Sequence, residues 1–452
     1  RPVSSAVNSP GLLAMATDHK NVGIYGFGRI GRLVFRIAWD IPELEIVSIN
    51  QRTGGAKNAA YLLKYDSQQG IWDHDVQETE DGKNLLIDGK LVTITTESSP
   101  GDIDYSGMGV SIVLECTGAF LTREKLACYW ANPANADLKV VISAPAKDDT
   151  IDNFVVGVND HLVDLSNPKH NVITAASCTT NCLAPVVKVI QEKLGIKHGS
   201  ITTIHDATGT QKLVDAACAK DLRRGRSGLL NMSPASTGAA KMIGKIFPEL
   251  KGKLNGMAVR VPILNSSLTD CVFEVSRETT AEEVNGYIRE YSETPREQGG
   301  LLGVLGYEEM PLVSTDFCHD ERSSIVDAES TMVVNGTQVK IYAWYDNEWG
   351  YSCRLAELCR LVARKQGATA SPDPPCFNRR TIGRSDDMRS TAGGQATPAL
   401  RTTSKAGSGS AKAHGELGCS AKQPLSNDQS ALLTGVMFGA ALATALMLAS
   451  RR

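Results

Sequence analysis

The sequence predicts an α/β protein of two domains, the first built on a parallel sheet and the second an α+β domain with a mostly antiparallel sheet. Near the start of the chain, an apolar strand, a glycine-rich turn and an amphipathic helix follow one another. Further short apolar runs continue this pattern as far as about residue 177. The strand-like runs beyond that residue are longer and are typical of an antiparallel sheet.

The first strand and helix lie within the stretch NVGIYGFGRIGRLVFRIAWD, residues 21–40. The apolar run from Val22 to Tyr25 predicts the strand. The helix is predicted from apolar residues at helical spacing, namely Ile30, Val34 and Ala38. Later strands of the same sheet are predicted at LEIVSIN (44–50), GVSIVLECTG (109–118) and KVVISAP (139–145).

The glycine-rich turn Gly26-Phe27-Gly28-Arg29-Ile30-Gly31 has the G-x-G-x-x-G spacing of a dinucleotide site. Its three glycines would let backbone N–H groups and the helix N-terminus approach a pyrophosphate. A purely structural tight turn is the alternative, but the strand-to-helix context favours binding. We therefore predict a Rossmann domain over residues 20–177 that binds NAD or NADP.

The end of the second predicted strand bears on the choice of cofactor. NAD sites usually carry a carboxylate there for the adenine ribose 2′-hydroxyl. In this chain the position holds Asn50-Gln51-Arg52. No acid would repel a 2′-phosphate and Arg52 could pair with one, which predicts use of both cofactors; the alternative is a solvated Arg52.

Three long strand-like runs define the second domain. They are GSITTIHDAT (199–208), LTDCVFEVSR (268–277) and TMVVNGTQVKIYAWYD (331–346). We predict a catalytic domain over residues 178–345, with the boundary near Ser177. Residues 346–365 are predicted as a C-terminal helix that packs on the Rossmann domain.

Cys178 is the candidate nucleophile. Apolar residues behind it mark one face of a helix: Leu183, Val186, Val187, Ile190 and Leu194. Cys178 would therefore lie at the positive end of a helix dipole, which stabilises a thiolate. The alternative is a small buried residue, and Cys182, one turn further on, is predicted only to pack.

His205, in the stretch HDATGTQ, is the candidate base. A histidine on a strand is more often structural. A thiol nucleophile, however, needs a base within hydrogen-bond reach. A strand of the domain that follows the cysteine helix could deliver one.

The overall composition excludes several kinds of partner. The chain has 452 residues with 42% apolar content, and its 47 basic and 50 acidic residues give a net charge of −3. No basic groove interleaved with aromatic residues is present, so we predict no nucleic-acid partner. The eleven cysteines form no C-x-x-C pair and no metal-binding spacing with histidine. We therefore predict no metal site, no disulfide framework and a reducing compartment.

The two ends of the chain differ from the middle. Residues 1–19 are predicted to be disordered or the remnant of a transit peptide. Residues 366–430 are rich in small and polar residues and are predicted to be a disordered linker. The uncharged run 431–449 would reach ~28 Å as a helix, close to the ~30 Å of a bilayer core, and predicts a membrane anchor. The alternatives are a tail that stays in solution or is processed away.

Six motifs occur in the order and spacing of phosphorylating glyceraldehyde-3-phosphate dehydrogenase. They are GFGRIGR, SCTTNCLAP, HDATGTQKLVDAACAKDLRRGRSG, STGAAK, LNGMAVRVP and WYDNEWGYS. The chain thus resembles this family over about residues 20–365. The resemblance implies Cys178 as nucleophile, His205 as base, glyceraldehyde 3-phosphate and inorganic phosphate as substrates, and a homotetramer.

The resemblance also implies two sets of binding residues. The substrate-binding residues would be Ser177, Thr179, Thr208, Arg226, Thr237, Gly238 and Arg260. The cofactor-binding residues would be Gly26, Gly28, Arg29, Ile30, Gly31, Gln51, Arg52, Thr117, Gly118 and Asn347, the last of which would orient the nicotinamide amide.

Two departures from the commonest glycolytic pattern favour NADP or dual use. Gln51-Arg52 replaces the usual ribose-binding Asp, and Ala217 replaces a proline that crowds a 2′-phosphate in NAD-specific members. In this the chain resembles plastid-type enzymes and a branch found beside arsenate-efflux transporters. Either cytoplasm or plastid is therefore consistent, and arsenate is a conceivable substitute for phosphate.

The rival interpretation is a non-catalytic scaffold with the same fold. A degenerate scaffold would be expected to have lost part of the catalytic set. Cys178, His205, Thr208 and Arg260 are all present, which favours an enzyme.

Overall fold

The computed structural model describes residues 19–219 and 221–369 of the chain. Residues 20–174 contain the strands β1 (Lys20–Tyr25), β2 (Leu44–Asn50), β3 (Tyr65–Asp66), β4 (Gly70–Ile71), β5 (Val76–Glu78), β6 (Leu85–Ile87), β7 (Lys90–Thr95), β8 (Val110–Glu115), β9 (Lys139–Ile142) and β10 (Val172–Thr174). The same residues contain the helices α1 (Arg29–Ala38), α2 (Gly55–Lys64) and α3 (Arg123–Leu126).

These strands build the predicted Rossmann sheet. Its order is β10-β9-β8-β1-β2-β7-β6-β5. The strands from β10 to β7 pair in parallel, and β6 and β5 extend the edge in antiparallel register. The strands predicted at 22–25, 44–50, 109–118 and 139–145 correspond to β1, β2, β8 and β9. In a parallel sheet, the carboxyl ends of these strands meet at the edge where a dinucleotide binds.

The rest of the described chain forms a second sheet with its own helices. The strands are β11 (Ile196–His205), β12 (Ser233–Ser236), β13 (Leu254–Arg260), β14 (Ser267–Val275), β15 (Leu305–Glu308), β16 (Ser324–Val334) and β17 (Gln338–Tyr345). The helices are α4 (Cys178–Leu194), α5 (Ala239–Ile246), α6 (Ala281–Glu293) and α7 (Trp349–Lys365).

This second sheet has the order β12-β13-β11-β14-β17-β16-β15. Its pairs are antiparallel except β11 with β13 and β15 with β16. The run at 331–346, which reads as strand-like throughout, is divided by a turn between β16 and β17. Asn335 and Gly336 take positive φ angles of 51° and 74° there. Asn-Gly is the residue pair that tight hairpin turns favour, because both positions need the left-handed region.

Helices α4 and α7 pack against the two sheets. On α4 the predicted apolar face is fully buried, and the helix packs on β14, β16 and β17. Helix α7 packs on α1, β8 and β9. Its buried apolar side chains include Leu355, Leu358, Cys359 and Val362. Burial of each large apolar side chain stabilises the fold by about 1.5–3 kcal/mol. These side chains therefore hold α7 against the first sheet.

No helix within the described residues is both long and apolar enough to cross a membrane. The predictions for residues 1–18, 370–430 and 431–449 lie outside the part of the chain that the structure describes.

Candidate active site

Cys178 is the first residue of α4, a helix of 17 residues. Ser177 caps this helix, since its hydroxyl accepts a hydrogen bond of 3.1 Å from the Thr180 N–H. The preceding Ala176 is held in a left-handed conformation, with φ of 57°. Two contacts fix that turn: its N–H donates to Thr174 Oγ1 at 3.0 Å, and its carbonyl accepts from the Tyr351 hydroxyl at 3.0 Å. The thiol is thereby fixed at the positive end of the helix.

His205 is the last residue of β11 and faces that thiol. Its Nε2 lies 3.6 Å from Cys178 Sγ. The ring is buried, with 5% of the residue exposed, and meets the Tyr345 ring edge-to-face at 6.1 Å between centroids. Parallel pairing of β11 with β13 places Arg260 directly beside His205. The two strands thus place an imidazole against the thiol and a cation beside that imidazole.

The surroundings of His205 favour its charged form. Burial by itself would lower the pKa of the imidazolium, because it removes water from the charge. The Asp206 carboxylate and the Cys178 sulfur outweigh burial and raise the pKa from 6.5 to about 9, against the opposing charge of Arg260. A protonated His205 places a positive charge 3.6 Å from the Cys178 sulfur.

Cys182 differs from Cys178 in its surroundings. It is fully buried, and its sulfur lies 2.8 Å from the Thr269 hydroxyl. Burial raises the pKa of its thiol to about 12, so it remains protonated at neutral pH. Cys182 therefore packs in the core, as the sequence predicts.

A cleft of about 610 Å³ opens over the Cys178–His205 pair. Several of the predicted site residues line it together: Arg29, Ile30, Ser177, Cys178, His205, Thr208, Arg260 and Asn347. They come from the start of α1, the start of α4, the ends of β11 and β13, and the loops that follow β11 and β17. The cleft thus joins the predicted cofactor and substrate groups in one space.

Four other predicted substrate-binding residues do not line the cleft. The Thr179 hydroxyl is buried and contacts the Tyr345 hydroxyl at 3.0 Å. Arg226 lines a small neighbouring cavity, which shares Arg260 with the cleft, and its Nε donates to Asp215 at 2.6 Å. Thr237 and Gly238 stand at the start of α5, where the Thr237 hydroxyl accepts from the Ala239 N–H at 3.2 Å.

The glycine turn has the shape of a dinucleotide cradle. Gly26 has φ of +101°, and a Cβ there would lie 2.8 Å from the Thr117 backbone nitrogen. A Cβ on Gly31 would lie 2.1 Å from the Gly26 carbonyl oxygen. A Cβ on Gly28, directly before α1, would meet no atom within 4 Å, so this backbone is open to a ligand. Open backbone at a helix N-terminus fits the pyrophosphate of NAD.

Glu115 fixes the loop that follows β8. This buried carboxylate accepts from the Thr117 N–H at 2.8 Å, and the neighbouring Gly118 takes a positive φ of 68°. At the end of β2, the Gln51 amide donates to the Thr53 carbonyl at 2.8 Å. Arg52 is exposed, and no ion pair joins it to a described residue.

Sequence reasoning missed three partners of two predicted residues, Arg29 and Asn347. Arg29 donates at 2.7 Å to both Asp66 and Glu348, so its charge is already paired. The Asn347 amide contacts the carboxylate of Asp206. Asp206 had a signal in the sequence, because an acid directly follows the candidate histidine; Asp66 and Glu348 had none.

Two family models match the chain. Residues 20–123 match the NAD binding domain of glyceraldehyde 3-phosphate dehydrogenase, and residues 177–347 match its C-terminal domain. A dinucleotide cradle near a cysteine–histidine pair, together with these matches, defines the class: an NAD-dependent oxidoreductase.

Named relatives define the family. Glyceraldehyde-3-phosphate dehydrogenase 3 of Nostoc sp. is 57% identical over 76% of this chain and 98% of its own length. Glyceraldehyde-3-phosphate dehydrogenase 1 of Bacillus subtilis is 48% identical over 76% of this chain and 98% of its own length. The enzyme of Atriplex nummularia is 44% identical over 76% of this chain and 92% of its own length. The chain belongs to the glyceraldehyde-3-phosphate dehydrogenase family.

Proposed function

We propose that the chain oxidises glyceraldehyde 3-phosphate to 1,3-bisphosphoglycerate with NAD(P) and inorganic phosphate, through a thioester on Cys178. The observation that carries this proposal is the 3.6 Å contact of Cys178 Sγ with His205 Nε2 at the cleft. Steady-state assay of the purified full chain with this aldehyde, NAD or NADP, and phosphate tests it. Absence of phosphate-dependent cofactor reduction would refute it.

The first step is addition of the Cys178 thiolate to the aldehyde carbon. A C–S bond forms, and the carbonyl π electrons move to oxygen. His205 Nε2 gives its proton to that oxygen, which produces a neutral hemithioacetal. Because the sulfur loses its negative charge on bonding, one of the causes that raise the pKa of His205 disappears. The neutral imidazole is then ready to act as a base.

NAD bound at the glycine cradle supplies the hydride acceptor for the oxidation. His205 Nε2 takes the hydroxyl proton as the C–H bond breaks, and the carbonyl of a thioester forms. Inorganic phosphate then attacks the thioester carbon, and the C–S bond breaks. Cys178 leaves as a thiolate, which the protonated His205 stabilises.

The two phosphate groups need donors and positive charge. We assign these roles to Ser177, Thr208 and Arg260, which line the cleft, and to Arg226, which lines the neighbouring cavity. The family resemblance adds Thr179, Thr237 and Gly238, which line neither cavity. Arg260 lines both cavities and is placed to serve the anion nearest the base. Arsenate has the same tetrahedral shape as phosphate, and adding it in place of phosphate tests its use.

The cofactor choice provides the first prediction. If Arg52 pairs with a 2′-phosphate, Arg52→Ala should raise the KM for NADP about tenfold and leave the KM for NAD unchanged, since a charge-assisted contact to phosphate contributes about 1.5 kcal/mol. Gln51→Asp should shift preference towards NAD, because a carboxylate would bind the ribose hydroxyl and repel the phosphate.

Lys57→Ala is the matched control, because Lys57 is another exposed cation of the same segment. It should change neither KM. Equal effects of Arg52→Ala on the two cofactors would show that Arg52 is only solvated.

We also propose that the chain forms a homotetramer. The support is a set of large apolar side chains exposed in one segment of the catalytic half, including Leu222 at 84%, Leu230 at 84% and Met232 at 75%. Exposed apolar patches of this kind mark contact surfaces. Ala217 lies in the same segment.

The tail provides the second prediction. The run 431–449 carries no charge and is followed by Arg451 and Arg452, which favours a C-terminal anchor. Cells expressing the full chain and a form ending at Lys365 should be fractionated and their membranes washed with carbonate. We expect only the full chain in the pellet and equal activity of both forms; full chain in the supernatant would exclude the anchor.

A further inference from the structure

Asp206 is a buried carboxylate that the reaction described above does not use. Only 1% of the residue is exposed. A charged group in such a place is costly unless its neighbours stabilise it. Its position directly after His205, at the end of β11, makes those neighbours part of the site. The inference below rests on the proposed function for its catalytic part.

One oxygen of Asp206 belongs to a small closed network. Its Oδ2 accepts from Asn347 Nδ2 at 2.8 Å. The Ser267 hydroxyl donates to Asn347 Oδ1 at 2.8 Å and accepts from the Asp206 N–H at 3.1 Å. A carboxylate can only accept, so the network fixes which end of the Asn347 amide faces Asp206. One N–H of that amide remains for a ligand in the cleft.

The other oxygen of Asp206 faces the base. Its Oδ1 lies 2.5 Å from His205 Nδ1. Oδ1 makes no hydrogen bond to any described residue, and Nδ1 also lies 3.1 Å from the carbonyl oxygen of Asp206. A buried carboxylate oxygen without a donor favours a proton on the nitrogen that it faces.

Charged groups from three elements converge on His205. Cys178 approaches Nε2 from the start of α4, and Arg260 Nη1 lies 2.6 Å from Nδ1 on the β13 side. The Tyr345 ring on β17 meets the His205 ring edge-to-face. Arg260 and Asp206 thus compete for Nδ1, because the cation favours a lone pair there and the carboxylate favours a proton. Without Asp206, the remaining cation would oppose the imidazolium.

We propose that Asp206 is a positioning residue that keeps His205 protonated on Nδ1 and, through its second oxygen, holds the Asn347 amide towards the nicotinamide. One carboxylate then links the activation of the thiol to the orientation of the cofactor. The effect on His205 depends on the negative charge of the carboxylate. The effect on Asn347 depends on the geometry of the hydrogen bonds.

Asp206→Asn separates charge from shape, because the amide has nearly the volume of the carboxylate. Alkylation of Cys178 by iodoacetamide is followed against pH in the cofactor-free full chain. We expect the rate at neutral pH to fall about tenfold, because the imidazolium beside the thiol loses the carboxylate that stabilises it. The thiolate should form at higher pH than in the wild type.

Asp270→Asn is the matched control, since Asp270 is a carboxylate of the same sheet that pairs with Lys340 at 2.6 Å. Its alkylation profile should equal that of the wild type. Ser267→Ala should raise the KM for NAD, because it removes the donor to Asn347 Oδ1. A wild-type alkylation profile for Asp206→Asn, or the same shift in Asp270→Asn, would overturn the proposal.

A measurement on the wild type covers the case in which Asp206→Asn fails to fold. Nitrogen-15 NMR of labelled histidine should show both ring nitrogens of His205 protonated at neutral pH, with the signal identified by its loss in His205→Asn. An unprotonated Nδ1 would overturn the proposal. Neither alkylation nor NMR requires turnover, so failure of the proposed dehydrogenase reaction would be visible separately.

Discussion

Cys178→Ala should abolish oxidation of glyceraldehyde 3-phosphate, since among the described residues no second thiol lines the cleft. Cofactor binding and the fold should persist, because the glycine cradle lies on the other sheet and Cys178 is only partly buried. Cofactor reduction, NAD binding by calorimetry and circular dichroism measure the three properties. Turnover retained by this variant would exclude the thioester route.

Cys182→Ala is the control for that experiment. Cys182 lies one turn further along the same helix and is fully buried. Its replacement should lower the free energy of unfolding by about 1 kcal/mol and leave turnover nearly unchanged. If both variants lost turnover, damage to α4 and not loss of the nucleophile would explain the result.

His205→Asn should slow turnover by ~10²–10⁴-fold, the usual contribution of general acid–base catalysis. Asparagine is close in size to histidine, but it can neither carry the imidazolium charge nor give a proton to the substrate oxygen. Single-turnover cofactor reduction at neutral pH measures the effect. His170→Asn is the control, since His170 is also buried, with Nε2 3.1 Å from Asp152 Oδ2, and lies outside the cleft lining.

His205→Asn also tests how the stability of the fold depends on pH. The pKa of His205 in the folded chain is raised from 6.5 to about 9, so its interactions stabilise the fold fully below pH 6.5. That contribution is lost as the pH rises through about 9. Urea unfolding should therefore show the wild type losing stability relative to His205→Asn between these pH values; a constant difference would contradict the assignment.

The parts of the site that were predictable from sequence are local ones. The strand, glycine turn and helix at 21–40 occupy consecutive residues, so their periodicity and spacing were enough. The start of α4 at Cys178 was predictable for the same reason, from the apolar face behind it. The run 331–346 was predicted only as strand-like, and the Asn-Gly turn that divides it was missed although that residue pair favours a hairpin turn.

Contacts between distant residues were not predictable in this way. Arg29 and Glu348 are 319 positions apart, and nothing in either stretch indicates that they pair. The sequence also gives no sign that β11 and β13 pair in parallel, and this pairing places Arg260 beside His205. Such contacts depend on how the two sheets pack, which a local pattern does not encode.

The position of helix α7 in the chain determines when the first sheet can complete its packing. It covers α1, β8 and β9, yet the ribosome makes it after the whole second sheet. Domains usually fold as units from the N-terminus during synthesis. A nascent chain that has emerged only as far as β10 lacks part of its core, and its apolar sheet face stays open until α7 arrives. The amino-terminal half therefore depends on the last helix that the structure describes, and the cofactor site matures only after that helix has been made.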